Sequence, residues 1–411
     1  MARSRTDALL LFATRITRLF AYGFLSVVLA LYLAQVGLRE YEIGLLFTCA
    51  LAGDAAISLW ITTSADRIGR RGMLILGASL MAFAGLMFLT TTNFVFLIIA
   101  AVIGVISPSG NEIGPFLSIE QAALSQLLPN HQRTRIFAWY NLAGSFATAS
   151  GALAGGWLSH NLQKAGTTPV AAYQAVLIGY ASAGLVLGAL FLGLSHSVEP
   201  GFNPTPSGRV LGLHRSKRIV IKLSALFALD AFAGGFVVQS IMAYWFHVKF
   251  GIDEAALGNI FFGANILAGV SALLAARVAA RIGLVRTMVF THLPSNLLLC
   301  LVPFMPGLSL AVGLLLLRFS ISQMDVPTRQ SYTMAVVAAD ERSAASGVTT
   351  IARSVGASLS PALSGALLAS PLLMGAPFVI AGGLKIIYDL LLYRSFRALA
   401  APEEMAAVRT K

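Results

Sequence analysis

The stretch Ala65-Asp66-Arg67-Ile68-Gly69-Arg70-Arg71 is a short charged corner between two long apolar segments. A shadow of it, Ala280-Arg281-Ile282-Gly283, returns at an offset of 214 residues, measured from Gly69 to Gly283. A charged tight turn that recurs at so long a period points to a duplicated bundle of helices rather than to a solenoid.

Composition places that bundle in a membrane. Of 411 residues 57% are hydrophobic and 11% charged, and the mean hydropathy is +0.79. A soluble domain carries about 25% charged residues, so this surface is made for lipid. The formal charge is +12, from 29 Lys and Arg against 17 Asp and Glu. No compact basic patch with interleaved aromatics accompanies it, so nucleic acid is not an expected partner. Most basic residues instead gather at one membrane face, with both termini and the central connector; only Arg39, Lys164 and Lys249 fall at the other. The positive-inside rule puts the termini and the connector in the cytoplasm. The run after Met1-Ala2-Arg3-Ser4-Arg5 is too long for a signal peptide and lacks a small-residue cleavage site, so it reads as a retained first span. Cys49 and Cys300 sit in apolar segments of opposite halves and read as packing residues, not a disulfide.

A span needs about 20 apolar residues. Twelve segments qualify, at 8–34, 41–64, 72–91, 94–128, 133–160, 170–194, 219–248, 253–279, 284–304, 308–337, 342–368 and 372–394. The expected fold is an all-α membrane protein of twelve transmembrane helices in two pseudo-symmetric six-helix bundles. The bundles cover 1–195 and 218–411, joined by a polar connector over 196–217 that holds Pro200, Pro204 and Pro206. Gly44 aligns with Gly258 at the offset of 214, whereas Arg133 aligns with Arg342 at 209. The change locates extra residues in the fourth segment, near the helix-breaking run Ser107-Pro108-Ser109-Gly110-Asn111.

At this point the chain resembles the major facilitator superfamily of transporters. The family's signature between spans two and three reads G-x-L-a-D-R-x-G-R-R. Asp66, Arg67, Gly69, Arg70 and Arg71 match it, while Thr62 and Ser64 replace the Gly and the Leu. The resemblance implies that Asp66 meets the start of span eleven, near Asp340-Glu341-Arg342-Ser343, in the outward-facing state. A carboxylate there neutralises the positive end of a helix dipole. A second family signature, G-P-x-x-G-G in span five of proton-coupled exporters, is echoed by Gly151, Gly155 and Gly156, with the Pro missing. Small residues at this spacing also serve simply to bring helices close.

Charges inside the apolar segments are costly and need partners or water. This chain holds Arg15, Arg18, Asp54, Glu112, Glu120, Asp230, Arg318, Asp325, Arg329, Arg353, Lys385 and Asp389 there. In the family, spans one, four, seven and ten line the central cavity, and most of these residues fall on those four. Arg318, Ser322, Asp325 and Arg329 are spaced to share one helical face. Arg15 aligns with Asp230, and Glu120 with Arg329, so equivalent positions carry opposite signs. We expect Arg15 or Arg18 to pair with Glu120, and Asp230 with Arg329. Carboxylates in a low-dielectric cavity can load and release protons, which makes Glu112, Glu120, Asp230 and Asp325 the proton-coupling candidates, with Glu120 ranked first. Arg15, Arg18, Arg318, Arg329 and Arg353 are the charge-pair or substrate candidates. Tyr244, Trp245 and His247 read as part of an aromatic belt.

The function expected is secondary active transport by alternating access, as proton-coupled export (antiport, efflux) of small organic or amphipathic compounds. The alternative is proton-coupled uptake of a small organic anion held by Arg318, Arg329 or Arg353. A non-transporting sensor or receptor is the reading from another class, disfavoured by the short connector and tail. No catalytic constellation marks an enzyme, and no motif marks a cofactor. His131, His160, His196, His214 and His292 form no metal-ligand spacing. The expected partners are a small-molecule substrate, protons and the lipid bilayer, and the expected setting is a plasma (bacterial inner) membrane that holds a monomer.

Overall fold

The computed structural model of the chain describes residues 2–111, 115–127, 133–199, 214–338 and 341–397. Turns and local breaks divide the described residues into sixteen α-helices, with no strand among them. They are α1 (Ala2–Ser26), α2 (Leu29–Gln35), α3 (Glu40–Ile68), α4 (Arg70–Thr90), α5 (Phe94–Ile103), α6 (Phe116–Leu127), α7 (Arg133–Lys164) and α8 (Pro169–Leu192). After the connector follow α9 (Lys217–Gly235), α10 (Gln239–Phe250), α11 (Glu254–Ile282), α12 (Leu284–Leu301), α13 (Leu308–Ser322), α14 (Asp325–Val336), α15 (Arg342–Leu368) and α16 (Ala376–Phe396). Nine helical segments among the described residues are long and apolar enough to cross a membrane. The α5–α6 segment, α7 and α15 bring the crossings to twelve. The last two are rich in hydroxyl, amide and small residues, which lowers their mean hydropathy.

Local chemistry sets the boundaries. Asn93 caps α5 by accepting from Val95 N–H at 3.0 Å, and Thr168 with Pro169 opens α8. The Asp66 corner turns at Gly69, whose φ of 120° is open only to glycine without strain. Gly283 turns the shadow motif in the same way, with φ 90°.

Four of the twelve segments are not continuous helices. We expected a break only in the fourth, where Gly104 and Pro108 part α5 from α6. The structure also breaks the first at Val27–Val28, the seventh at Phe236–Val238 and the tenth at Gln323–Met324. The Ser26 hydroxyl bonds back to the Gly23 carbonyl in the first, and Gly234-Gly235 precedes the break in the seventh. Both are recognised causes of helix disruption. The broken segments correspond in the two repeats, first with seventh and fourth with tenth, as in transporters whose sites lie between broken helices. Arg318 and Ser322 therefore sit on α13, while Asp325 and Arg329 sit on α14, rather than on one helical face.

Packing divides the chain into two compact units, Met1–Pro204 with Val238–Asn265, and Thr205–Val237 with Ile266–Lys411. In the first, α1 packs on α7 and α8, and α4 on α8. A Cβ on Gly151 or Gly155 would overlap the carbonyl oxygens of Phe20 or Phe24, so these glycines set the closeness of α7 to α1. Gly156 meets α11 at Glu254 and Gly258. Buried Glu254 accepts from Tyr173 at 2.5 Å and from Gln163 at 2.9 Å. Tyr244 donates to Glu40 at 2.8 Å, and neighbouring Trp245 is fully buried. Trp245 is thus a core residue, not a member of a lipid-facing belt, because its ring packs on Phe246 and Phe250.

The second unit repeats the plan. There α9 packs on α15 and α16, and α12 on α13, α14 and α16. Gly356 faces the Ala228 carbonyl. Ser360 and Ser364 donate to the carbonyls of Phe232 and Phe236 at 2.5 and 2.8 Å. Leu223, Phe227, Met288, Tyr332 and Tyr388 form its apolar core.

Candidate functional site

In the first unit, Thr14 and Arg18 lie one turn apart on α1 and face α6. Fully buried Arg18 grips fully buried Glu120 with both ends of its fork, at 2.8 and 2.7 Å. Thr14 donates to the same carboxylate at 2.8 Å, and the Tyr140 hydroxyl of α7 donates to its other oxygen. Four donors on two oxygens saturate a carboxylate. Arg15 reaches Asn141 at 3.2 Å and stacks over the Tyr140 ring, with its guanidinium carbon 4.4 Å from the centroid. Of the two arginines considered for the pair with Glu120, the structure brings Arg18 to it. Glu112 lies outside the described residues.

The second unit spreads its charges differently. Asp230 on α9 accepts from Lys385 of α16 at 2.5 Å and from Arg329 of α14 at 3.0 Å. Arg329 also pairs with Asp325 at 3.2 Å, and its guanidinium lies over Phe227. On the far side of Lys385, Asp389 meets His292 and Asn296 of α12, both at 2.9 Å. All of these side chains are buried. One carboxylate thus shares two cations, and one arginine shares two carboxylates, a chain in which partners can be exchanged.

Reasoning from sequence reached Asp230, Asp325 and Arg329 but missed Lys385 as the partner of Asp230, and missed His292 with Asn296 altogether. A signal was present: His292/Asn296 and Lys385/Asp389 are each polar pairs four residues apart on apolar helices. Arg318 and Arg353 complete the cluster. Both interact electrostatically with Asp230 and Asp325, yet among the described residues neither makes a hydrogen bond or ion pair, and each buries its Nε without a partner. Among the described residues of this cluster, three carboxylates (Asp230, Asp325, Asp389) stand against four permanent cations (Arg318, Arg329, Arg353, Lys385), an excess of one positive charge before His292 is counted.

The charged corner at Asp66 is a clasp. Asp66, its side chain 66% exposed, accepts from Arg70 Nε at 2.9 Å. Arg70 continues to Gln126 of α6 at 2.9 Å and to the Val198 carbonyl at 3.3 Å. Glu199 closes the turn by accepting from the N–H groups of Arg70 and Arg71 at 2.6 and 3.1 Å. That is a carboxylate on a helix N-terminus. In the second unit, Glu341 before α15 accepts from the N–H groups of His214, Arg215 and Ser216 at 2.5, 2.7 and 2.8 Å. Burial would raise this carboxyl, but those donors outweigh it and bring it down to about 2. Asp340 lies outside the described residues.

A family model described as Major Facilitator Superfamily matches residues 11–361. The chain belongs to the Major Facilitator Superfamily. It is a multi-pass membrane transporter, not an enzyme. Over 427 aligned residues it is 29% identical to the uncharacterized membrane protein YJR124C of Saccharomyces cerevisiae, covering 96% of this chain and 95% of that one. The quinolone resistance protein NorA of Staphylococcus aureus is 27% identical over 117 residues, which is 28% of this chain and 29% of NorA. The crystal structure of a mutant of the nucleoside transporter NupG superposes with a TM-score of 0.76 at 14% identity, over 95% of this chain and 100% of that one. At that identity the superfamily member shares a fold; the cargo has to be argued from side chains.

Proposed function

We propose that this superfamily transporter is a proton-driven secondary carrier that exports small organic compounds by alternating access. The observation that carries the reading is the shared pairing of Asp230, Lys385, Arg329 and Asp325 in the second unit. A proton arriving on Asp230 or Asp325 removes a counter-ion from Arg329 or Lys385. Those cations must then re-pair or stand unpaired in low dielectric. Breaking a buried pair costs about 3–5 kcal/mol, and each 1.4 kcal/mol shifts a two-state equilibrium about tenfold. Protonation of one carboxylate is therefore energetically sufficient to bias the carrier between states. Glu120, already saturated by four donors, fits a structural lock on α1, α6 and α7 better than a proton carrier. In the cycle Asp66 exchanges Arg70 for the start of α15. The distribution of Lys and Arg supports cytoplasmic termini, and the protein works as a monomer in the plasma membrane.

Export is supported by the partial likeness to NorA and by the Gly151, Gly155 and Gly156 pattern. Uptake of an organic anion with protons is the second reading, favoured by the positive excess in the second unit. Reconstituted vesicles with imposed pH gradients separate the two. Antiport moves the compound toward the acidic compartment, and symport moves it toward the alkaline one. Asp230→Asn and Asp325→Asn are expected to abolish the response to the gradient. Transport by the unaltered protein that ignores gradients of either sign would sink proton drive.

A further inference from the structure

We propose that Arg318 and Arg353 form the docking site for an oxyanion group on the carried compound, such as a carboxylate or a phosphate. The inference rests on the reading of the chain as a carrier of small organic compounds and names their class, whichever way they move.

The first ground is the pairing of charges. Arg18 and Arg329 have carboxylate partners, whereas Arg318 on α13 and Arg353 on α15 have none within bonding distance among the described residues. Arg318 is 8% exposed. An arginine held this way in a membrane interior is less stable than a paired one, and an arriving anion relieves it. Asp230 and Asp325 lie within electrostatic reach of both, but Lys385 and Arg329 already occupy those carboxylates. One positive charge remains for an incoming anion to neutralise.

The second ground is the kind of groups that accompany the arginines. Ser322 stands one turn from Arg318 on the same face of α13, and its buried hydroxyl has no partner. The Tyr388 hydroxyl of α16 is likewise buried and unpartnered. Phe319 lies beneath the Arg318 guanidinium, whose central carbon is 4.8 Å from the ring centroid, and limits the ways it can turn. Two planar forks, both drawn toward Asp230 and Asp325, with the Ser322 hydroxyl one turn from Arg318, have the chemistry to receive oxygen atoms that carry negative charge. Among the described residues, the carboxylates nearest these arginines, Asp230 and Asp325, are already paired with cations, which leaves a cationic drug nothing to pair with there.

The alternative for these arginines is a static one, as distant counter-ions of Asp230 and Asp325. Binding in detergent decides between them without any gradient. The full-length protein is titrated with benzoate and phenyl phosphate, with benzamide and benzylamine as neutral and cationic controls, and the thermal midpoint is read. Both anions are expected to raise the midpoint, and the controls to leave it in place. Arg318→Gln and Arg353→Gln should each weaken the apparent affinity about tenfold or more, the loss of a charged hydrogen bond. Where a Gln variant does not elute as a monodisperse protein, Arg318→Lys and Arg353→Lys serve instead. These keep the charge but lose the fork, and they too should bind the anions more weakly. Equal shifts with benzamide, unchanged affinity in the variants, or no shift with either anion up to solubility would each overturn the proposal. Proton-insensitive transport of an anion that binds here would defeat the coupling scheme and leave this site standing. Gradient-driven transport of neutral compounds alone would do the reverse.

Discussion

Arg18 and Arg353 carry the same guanidinium, and their neighbours give it opposite roles. Around Arg18, Glu120, Thr14 and Tyr140 close a complete set of bonds, so removing one member strands the others. Glu120→Leu is expected to lower stability by about 3–5 kcal/mol, because Arg18 stays buried and charged. The double variant Arg18→Met/Glu120→Leu should recover most of that loss in thermal unfolding. A double variant no more stable than the single one would show that the pair is not the source of the cost. Glu341 makes a pH prediction. Its folded pKa of about 2 lies below the ordinary 4.5, so its stabilising contribution is fully present above about 4.5. That contribution is lost as pH falls through 4.5 toward 2. Glu341→Gln should therefore flatten the acid limb of the stability curve and leave the neutral region parallel to that of the unaltered protein.

Among the elements, α1 with α7 and α9 with α15 are the tightest joints, and small residues make them so. Gly151→Val would drive a side chain into the Phe20 carbonyl and part α7 from α1. The expected result is loss of folded protein in detergent, seen as aggregation on size-exclusion chromatography. Gly72, on α4, has open space where a methyl group would stand, with nothing within 4 Å. Gly72→Ala should be neutral or stabilising by about 0.4–1 kcal/mol, read as the thermal midpoint. The spacing of Gly151 and Gly155 announces close packing in the sequence itself. The breaks in the first, seventh and tenth segments do not announce themselves. Only Ser26 and Gly234-Gly235 mark the first two, amid apolar neighbours, and the tenth falls in the mixed stretch Ser322-Gln323-Met324-Asp325, so hydropathy does not place the gaps and the hydrogen-bond pattern does.

For the whole molecule, duplication supplied two copies of one plan, and the charges then diverged. Glu120 and Arg329 are equivalent positions of opposite sign, and each recruits a different neighbourhood. The corner diverged too: Asp66 has Ala280 as its counterpart, so the acid is present once. Asp66→Asn should slow the exchange between states several-fold, read as the initial transport rate in vesicles at unchanged substrate affinity in detergent. Ala280→Asn should leave both unchanged. Equal slowing by the two substitutions would deny the corner a special role.

Membrane residence, twelve crossings, the internal repeat and the superfamily were all legible in the order of residues, because each depends on hydropathy and on motifs local to the chain. So was the list of buried charges, since a charge in an apolar run stands out wherever it falls. The partners of those charges were decided only by the tertiary structure. Lys385 meets Asp230 across 155 positions and His292 meets Asp389 across 97. Sequence spacing carries no record of which helices pack side by side. For the same reason, only the fold reveals that Arg318 and Arg353 are left over once the other charges have found their partners.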